Sequence, residues 1–171
     1  NLKSFNKIQF KNLSFSFDEV KSRDILSNLS TTIYKGEKIG LVGTTGSGKS
    51  TFLDVFMGLL PPTKGKLLLD DSDMYSHHSL YKWRSQVSHV PQFIFIADCS
   101  IAENIALGEG LDQIDFDKLY YAAEIAQLFE FLDFRDKNCF LQQVGEAGIK
   151  FSGGQRQRIG IARAIYKSTK V

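Results

Sequence analysis

One glycine-rich segment of the sequence has the residue types and the spacing to bind phosphate groups. It matches the pattern G-x-x-x-x-G-K-[ST] and consists of Gly43, Thr44, Thr45, Gly46, Ser47, Gly48, Lys49 and Ser50. Glycines at these positions let the backbone turn so that several N–H groups converge on phosphate oxygens. Lys49 is then expected to reach the β and γ phosphates, and the Ser50 hydroxyl is expected to bind a bridging Mg²⁺. The segment therefore predicts nucleotide binding.

The elements on either side of this segment are those that a phosphate-binding loop requires. Residues 38–42 form a short apolar run that predicts a buried strand, and Thr51 begins a helix whose apolar residues recur at helical spacing up to the Pro61-Pro62 pair. A strand before and a helix after place the phosphates at a helix N-terminus, where the dipole favours negative charge. The alternative is a glycine-rich turn with a chance lysine, and both flanking elements argue against it.

A second glycine-rich segment lies near the end of the sequence. Ser152, Gly153, Gly154 and Gln155 precede a basic amphipathic helix, and the spacing of Ser152 and Gln155 is that of a capping box. The two glycines leave the amides at this helix start open to close approach, which makes a second anion site. Taken alone, these residues could be only a helix cap. Together with the first segment, they favour a second phosphate contact.

The remaining pattern predicts an α/β protein whose second half is helical. A β-rich, antiparallel section opens the chain from Ile8 to about Val42. Further strands are predicted at residues 66–69 and 87–90, with a short helix around residues 80–85 between them. Longer helices are predicted at residues 101–107, 116–131 and 155–166. We place the β section and the phosphate-binding core at about residues 1–92 and the helical subdomain at about residues 93–165.

Composition excludes several classes of protein. With 171 residues, 43% apolar and 23% charged, the chain is expected to form one globular folding unit. The net charge of +2 is spread without a basic block, so we do not expect nucleic acid as a partner. No run approaches the roughly 18 to 20 apolar residues of a membrane span. Cys99 and Cys139 are predicted to be buried and reduced, and the His77-His78 pair is predicted to lie on the surface.

Residues 151–155, F-S-G-G-Q, resemble the L-S-G-G-Q signature of the nucleotide-binding domains of ABC proteins, with Phe151 in place of leucine. The resemblance covers nearly the whole chain. It implies a P-loop NTPase (RecA-like) core with an antiparallel β subdomain and a helical subdomain, and ATP and Mg²⁺ as cofactors. It also implies a homo- or heterodimer, in which Ser152, Gly153 and Gly154 of one domain contact the γ-phosphate of ATP held by the other domain.

Two further positions have roles that the resemblance implies. Val90-Pro91-Gln92 is similar to the Q-loop of the family, whose glutamine reaches the Mg²⁺ and the attacking water and couples to the transmembrane domain. Gln92 could also be only a turn residue at a strand end. Phe17 occupies the position where the family stacks an aromatic ring on adenine, and ordinary core packing is the alternative for this ring.

Within the family, the sequence is most similar to exporters. Residues 144–148 resemble the short acidic loop that touches the transmembrane helices of exporters, and residues 101–105 resemble the exporter sequence after the Q-loop. Residues 93–96 could pack beneath a coupling helix or belong to the core. Residues 43–51 and 159–164 resemble transporters that flip lipid-linked glycans or export polysaccharide. The resemblance thus implies an ATPase motor that drives transport at the cytoplasmic face of a plasma or inner membrane, with a transmembrane domain as partner.

Two other kinds of ABC protein stay open at this point. One is a soluble ATPase of DNA repair, chromosome maintenance or translation, although Gln92 and Ser152 are too close in sequence for the long coiled coil of the chromosome type. The other is a nucleotide-dependent regulator. In the family, an apolar strand ending in Asp-Glu and a loop with a functional histidine follow the signature, and the sequence contains neither after residue 155. We therefore expect a longer parent chain, and negligible ATP hydrolysis by these residues alone.

Overall fold

The computed structural model describes residues 5–17, 24–76, 79–133, 138–145, 151–169 and 171. The chain divides into two compact units, residues 1–87 and residues 88–171. His77 and His78 lie outside the described residues, and so does the Glu146-Ala147-Gly148 part of the predicted acidic loop. Within the described residues, no helix combines the length and the apolar character of a membrane span.

The first unit is built on a four-stranded antiparallel sheet, as the opening of the sequence predicts. Its strands are β1 (Lys7–Phe15), β2 (Leu26–Tyr34), β3 (Lys64–Leu69) and β4 (Ser72–Asp73), in the order β2-β1-β3-β4. One face of the sheet packs against helix α1 (Lys49–Phe56), because the Phe10 ring stacks on Phe52 at 5.1 Å and on Phe56 at 6.4 Å between ring centres. This packing attaches the helix that follows the phosphate-binding segment to the sheet.

Strands β1 and β2 each contain an Asn-Leu-Ser triplet, and the two triplets hydrogen-bond to each other. Asn12 and Asn28 have left-handed φ angles of 46° and 47° at irregularities in the register. The Asn12 amide donates to Ser30 Oγ at 3.0 Å, and the Asn28 amide donates to Ser14 Oγ at 2.9 Å. The serine hydroxyls thus replace ladder hydrogen bonds that the irregularities interrupt.

Side chains from outside α1 bond the carbonyl groups at and beyond its C-terminal end. Trp83 Nε1 donates to Phe56 O at 2.7 Å, and the Arg84 guanidinium donates to Gly58 O. Tyr75 donates its hydroxyl proton to Leu60 O at 2.5 Å, and burial raises the pKa of Tyr75 to about 12. Trp83 and Arg84 belong to α2 (Ser79–Arg84), which confirms the short helix predicted there.

The first predicted helix ends earlier than the sequence pattern suggests. We expected it to continue to the Pro61-Pro62 pair, but α1 stops at Phe56. Gly58 has a left-handed φ of 75°, and the amides of Met57 and Gly58 close the last turn on Leu53 O and Val55 O. A glycine in this conformation ends a helix before any proline is needed.

Two predicted strands are absent from the described structure. Residues 38–42 are irregular, with Ile39, Leu41 and Val42 exposed at 56%, 42% and 90%. Residues 87–90 are irregular too, although the Ser88 amide bonds to Val171 O at 2.8 Å. The physical reason is that a strand needs a neighbour to complete its ladder, and no strand of the described residues pairs with either run. An apolar run predicts burial without identifying its partner.

The second unit is helical. It contains α3 (Ile101–Ile105), α4 (Phe116–Ile125) and α5 (Gly153–Tyr166), with 3-10 turns at Leu128–Glu130 and Cys139–Leu141. These elements share one buried core that includes Ile105, Leu119, Leu128, Ile159 and Ala162. The predicted helices are thereby confirmed in type and place.

Two helix ends and one burial prediction for this unit are wrong. The helix predicted at residues 101–107 ends at Ile105. The helix predicted at residues 116–131 ends at Ile125, because Gln127 takes a left-handed φ of 57° and redirects the chain into a 3-10 turn. Cys139 is buried as expected, whereas Cys99 is only partly buried. Desolvation nevertheless raises the pKa of the Cys99 thiol, which favours its protonated form.

Candidate functional site

The glycine-rich segment, together with Thr51, forms a loop that we call the phosphate loop (residues 43–51), and this loop leads directly into α1. Gly46 and Gly48 have left-handed φ angles of 79° and 89°, and Gly48 is the N-cap residue of α1. A Cβ at Gly48 would lie 3.1 Å from the carbonyl oxygen of Ile25. Gly48 is therefore required both by its backbone angle and by the close approach of β2.

Gly48 also leaves the start of α1 without a side-chain cap. The Phe52 amide makes the first i to i−4 hydrogen bond of the helix, donating to Gly48 O at 2.8 Å. The amides of Lys49, Ser50 and Thr51 precede it and have no carbonyl within the helix. These three donors and the positive end of the helix dipole therefore form an anion-binding group, and Ser50 is exposed beside them.

The Lys49 ammonium group lies on the same loop. Its Nζ atom donates to Gly43 O at 2.8 Å and to Thr44 O at 2.7 Å, so the side chain folds back along the loop. These bonds hold a positive charge beside the uncapped start of α1. The Ser47 amide closes the turn between them by donating to Thr44 O at 3.2 Å. The loop thus joins a fixed cation to a set of converging amides, which can bind a phosphate chain.

Phe17 follows β1 in the same unit and is 70% exposed. Its ring meets Phe15 edge to face, with 5.0 Å between ring centres and an interplanar angle of 86°. This exposure does not fit the core-packing alternative. It leaves the ring able to stack on a flat ligand.

The second glycine-rich segment, which we call the signature segment (residues 151–155), lies in the helical unit. Ser152 Oγ accepts from the Gln155 amide at 3.2 Å, and Gln155 Oε1 accepts from the Ser152 amide at 2.8 Å. This is the capping box that the sequence predicts. A Cβ at Gly153 or Gly154 would meet no described atom within 4 Å. Packing inside the unit therefore does not explain these two glycines.

Gln92 lies in the helical unit beside the signature segment. It is exposed, and with Gly153 and Arg156 it lines an open groove of about 290 Å³. Ile94 comes next to the backbone of α5, since a Cβ at Gly160 would lie 2.3 Å from Ile94 Cδ1. The predicted site residues are thus placed in two groups. Phe17 and the phosphate loop belong to the first unit, and Gln92 and the signature segment belong to the second.

Sequence reasoning missed two residues that connect these parts of the second unit. Asn104 is completely buried in α3, and Arg163 of α5 hydrogen-bonds to it. The sequence contained one signal for Asn104, because it is a polar residue that directly precedes Ile105 in a short apolar helix. Nothing local indicated that Arg163 is its partner, since the two residues lie far apart in the chain.

Comparison with known proteins agrees with this arrangement. Residues 26–171 match the family described as ABC transporter, and the chain belongs to this family. The predicted fold class, an α/β P-loop NTPase, is confirmed by this match and by the similarity to a solved ABC exporter structure.

Several relatives are exporters or flippases by name. The chain is 35% identical over 165 residues to ATP-binding cassette sub-family B member 5 of Homo sapiens, covering 96% of this chain and 13% of that protein. It is 35% identical over 161 residues to the ATP-dependent lipid A-core flippase of Chromohalobacter salexigens, covering 94% and 27%. The structure of a bacterial Atm1-family ABC exporter with ATP bound matches with a TM-score of 0.82 and 32% identity, covering 96% of this chain and 28% of that one.

These matches confirm the resemblance to ABC exporters that the sequence motifs indicate. The chain spans between 13% and 28% of the length of these three proteins.

Proposed function

We propose that this chain is the ATP-binding motor domain of an ABC exporter. One observation carries the proposal: the uncapped start of α1 has Lys49 beside it, with the ammonium donating to carbonyl groups of the loop itself. A triphosphate offers better acceptors than these neutral carbonyls, because its oxygens carry negative charge and add a Coulombic attraction to the hydrogen bonds of the ammonium. Lys49 then exchanges Gly43 O and Thr44 O for the β and γ phosphates.

The other residues of the first unit orient the nucleotide. The amides of residues 44–50 surround the phosphates, and the exposed Phe17 ring stacks on the adenine. The Ser50 hydroxyl would hold Mg²⁺ in this unit, and Gln92 of the second unit is the other side chain to which the family resemblance gives a Mg²⁺ contact. When bound, this ion would neutralise the negative charge that develops on the phosphates during hydrolysis.

The signature segment acts on the nucleotide of a second domain. Among the described residues of their unit, no atom lies within 4 Å of a Cβ at Gly153 or Gly154, and the capping box fixes the start of α5 in advance. Ser152 and the amides after it can therefore approach a γ-phosphate presented by another copy of the phosphate loop. ATP then joins two domains, and their closure drives a transmembrane domain at the cytoplasmic face of a membrane. The exporters and flippases among the relatives support this coupling.

Turnover requires residues that polarise water, which the family carries after the signature. Residues 156–171 contain no acidic side chain. We therefore expect these 171 residues to bind ATP without hydrolysing it at a useful rate, and the parent transporter to hydrolyse it.

The test compares Lys49→Ala with Lys66→Ala in the complete transporter that carries this chain. Lys66 is an exposed lysine of β3, outside the phosphate loop, and serves as the matched control. Lys49→Ala is expected to abolish ATP turnover and ATP-driven transport, while Lys66→Ala retains both. ATP turnover with no membrane substrate moved would favour a soluble ATPase or regulator. Full turnover by Lys49→Ala would refute the proposal.

A further inference from the structure

Asn104 is a buried amide whose side chain joins α3 to the chain segment before it. Its Nδ2 donates to Ala97 O at 2.9 Å and to Ser100 O at 3.0 Å. Its Oδ1 accepts from the Ala97 amide at 2.9 Å. The side chain therefore pairs with both backbone groups of Ala97, as a neighbouring strand would. In this way α3 is tied to the segment that follows Gln92.

Arg163 connects the same amide to α5. Its Nε donates to the backbone oxygen of Asn104, and its Nη2 donates to Asn104 Oδ1 at 3.1 Å. Two bonds from one planar guanidinium fix orientation as well as distance, and a lysine could supply only a single point charge. Burial lowers the pKa of the guanidinium, so the charge is kept in this position at a desolvation cost.

A second contact, closer to Gln92, joins α5 to the segment that follows Gln92. Ile94 lies two residues after Gln92, and its side chain sits against the backbone of α5 at Gly160. A Cβ at Gly160 would lie 2.3 Å from Ile94 Cδ1 and 2.9 Å from Ile94 Cγ1. Real contacts are never this short, so a larger residue at Gly160 would force the Ile94 side chain, two residues after Gln92, to move. Helix α5 is thus linked to this segment directly at Ile94 and, through Asn104 of α3, at Ala97.

We propose that Asn104 and Arg163 are positioning residues that hold Gln92 and the signature segment as one rigid body. The inference rests on the proposed function, in which Gln92 and Ser152 both have to reach bound nucleotide. Helix α5 carries Ser152 at one end and Arg163 near the other, so a change at Arg163 is transmitted along a rigid element. A polar network suits this task, because its directional bonds specify one arrangement where an apolar contact would permit several.

The decisive variant is Arg163→Lys in the complete transporter, with Arg158→Lys as its control. Arg158 lies on the same helix but bonds to Gln127 O and to the Glu130 carboxylate, away from Gln92. Arg163→Lys is expected to lower kcat for ATP about tenfold through misplacement of the reacting groups, with the Kd for ATP unchanged. Arg158→Lys is expected to leave both quantities as in the wild type.

A second pair of variants covers the case in which Arg163→Lys fails to fold. Gly160→Ala is expected to lower kcat with the Kd for ATP unchanged, and Gly160→Ala combined with Ile94→Ala is expected to recover kcat, because the colliding side-chain atoms are gone. A merely structural role would lower the amount of folded protein and ATP binding together.

The inference is overturned if kcat of a folded Arg163→Lys transporter equals the wild-type value. It is also overturned if kcat and ATP binding fall in parallel in every variant. Lys49→Ala in the same preparation separates this result from failure of the proposed function. If Lys49→Ala abolishes turnover while Arg163→Lys does not change it, only the positioning role is wrong.

Discussion

The phosphate loop and the signature segment are both glycine-rich starts of helices, yet they are completed differently. At the start of α5, Ser152 and Gln155 bond each other's amides and close a capping box within the chain. At the start of α1, Gly48 has no side chain to do this, and the Lys49 ammonium turns to Gly43 O and Thr44 O. The start of α5 is thus capped by its own side chains. The start of α1 has no side-chain cap, so its first amides can bind a ligand.

The glycines of the two segments differ in the same way. Gly48 is required inside its own unit, because its φ of 89° is left-handed and β2 comes close to it. Gly153 and Gly154 have open space around them in the described structure. A glycine that packing does not require points to an approach from outside. This difference supports the proposal that the phosphate loop binds the nucleotide and that the signature segment approaches it from another domain.

Alanine at Gly48 and alanine at Gly154 should change local stability in opposite directions. Gly48→Ala forces a left-handed alanine, which costs about 1–2 kcal/mol, and adds the contact with Ile25 O. Gly154→Ala removes a flexible residue from a helix and should stabilise α5 by about 0.5–1 kcal/mol. Hydrogen exchange of the two helices, measured by mass spectrometry on the complete protein, reports both effects.

Measuring ATP turnover as well as hydrogen exchange in Gly154→Ala separates an effect on function from an effect on stability. Gly154→Ala should lower ATP turnover even though α5 exchanges more slowly, because the added methyl group obstructs the approaching phosphate. Faster exchange of α5 in Gly154→Ala would show that packing requires this glycine after all. The contrast between the two segments would then be wrong.

Alanine at Ser152 tests the capping box of α5, and alanine at Ser50 tests the proposed Mg²⁺ contact at the start of α1. Ser152→Ala breaks the capping box and should weaken the first turn of α5 by about 1 kcal/mol. Ser50→Ala should leave hydrogen exchange of α1 almost unchanged and should instead weaken ATP binding only when Mg²⁺ is present. Isothermal titration with and without Mg²⁺ measures the second effect. Equal loss of ATP affinity in both conditions would contradict the metal role of Ser50.

A further small effect is expected beyond the C-terminal end of α1, where Tyr75 bonds Leu60 O. Tyr75→Phe removes one hydrogen bond and should cost about 0.5–1.5 kcal/mol. Burial raises the pKa of Tyr75 from 10.0 to about 12, so the neutral phenol is favoured in the folded chain. Its contribution to stability is therefore complete below pH 10 and is lost as the pH rises through about 12.

The pH dependence of Tyr75 can be isolated by difference. The tyrosinate absorbance of Tyr75→Phe, subtracted from that of the wild type during an alkaline titration, leaves the curve of Tyr75 alone. We expect its midpoint near 12, well above the ordinary value of 10.0. A midpoint at the ordinary value would mean that the hydroxyl is not anchored at the end of α1.

Local features of the molecule could be predicted from the sequence, and features that depend on distant partners could not. The capping box at Ser152 and Gln155 was predictable because both groups belong to one helical turn. The strand expected at residues 38–42 was wrong, because apolar character does not say whether another strand lies alongside. The early end of α4 at Ile125 depends on the left-handed Gln127, which no residue preference indicated.

The residues of the candidate site also divide into those that local sequence predicts and those that depend on distant partners. The phosphate loop and the signature segment are short, contiguous motifs whose residue types state their chemistry. The pairing of Asn104 with Arg163 brings together two helices from different parts of the chain. Only the structure shows that this pair links the segment after Gln92 to α5, the helix that begins at the signature segment.

The central claim is that the phosphate loop of one domain and the signature segment of another form one composite site. Its most direct test places Lys49→Ala in one copy and Gly154→Asp in the other copy of the paired transporter, and measures ATP retained after rapid filtration. Gly154 has room for the aspartate, whose charge repels phosphate. Each variant paired with itself should retain no ATP. The mixed pair should regain retention, because one of its two composite sites is intact. No recovery in the mixed pair would mean that each site lies within a single chain, which would contradict the account.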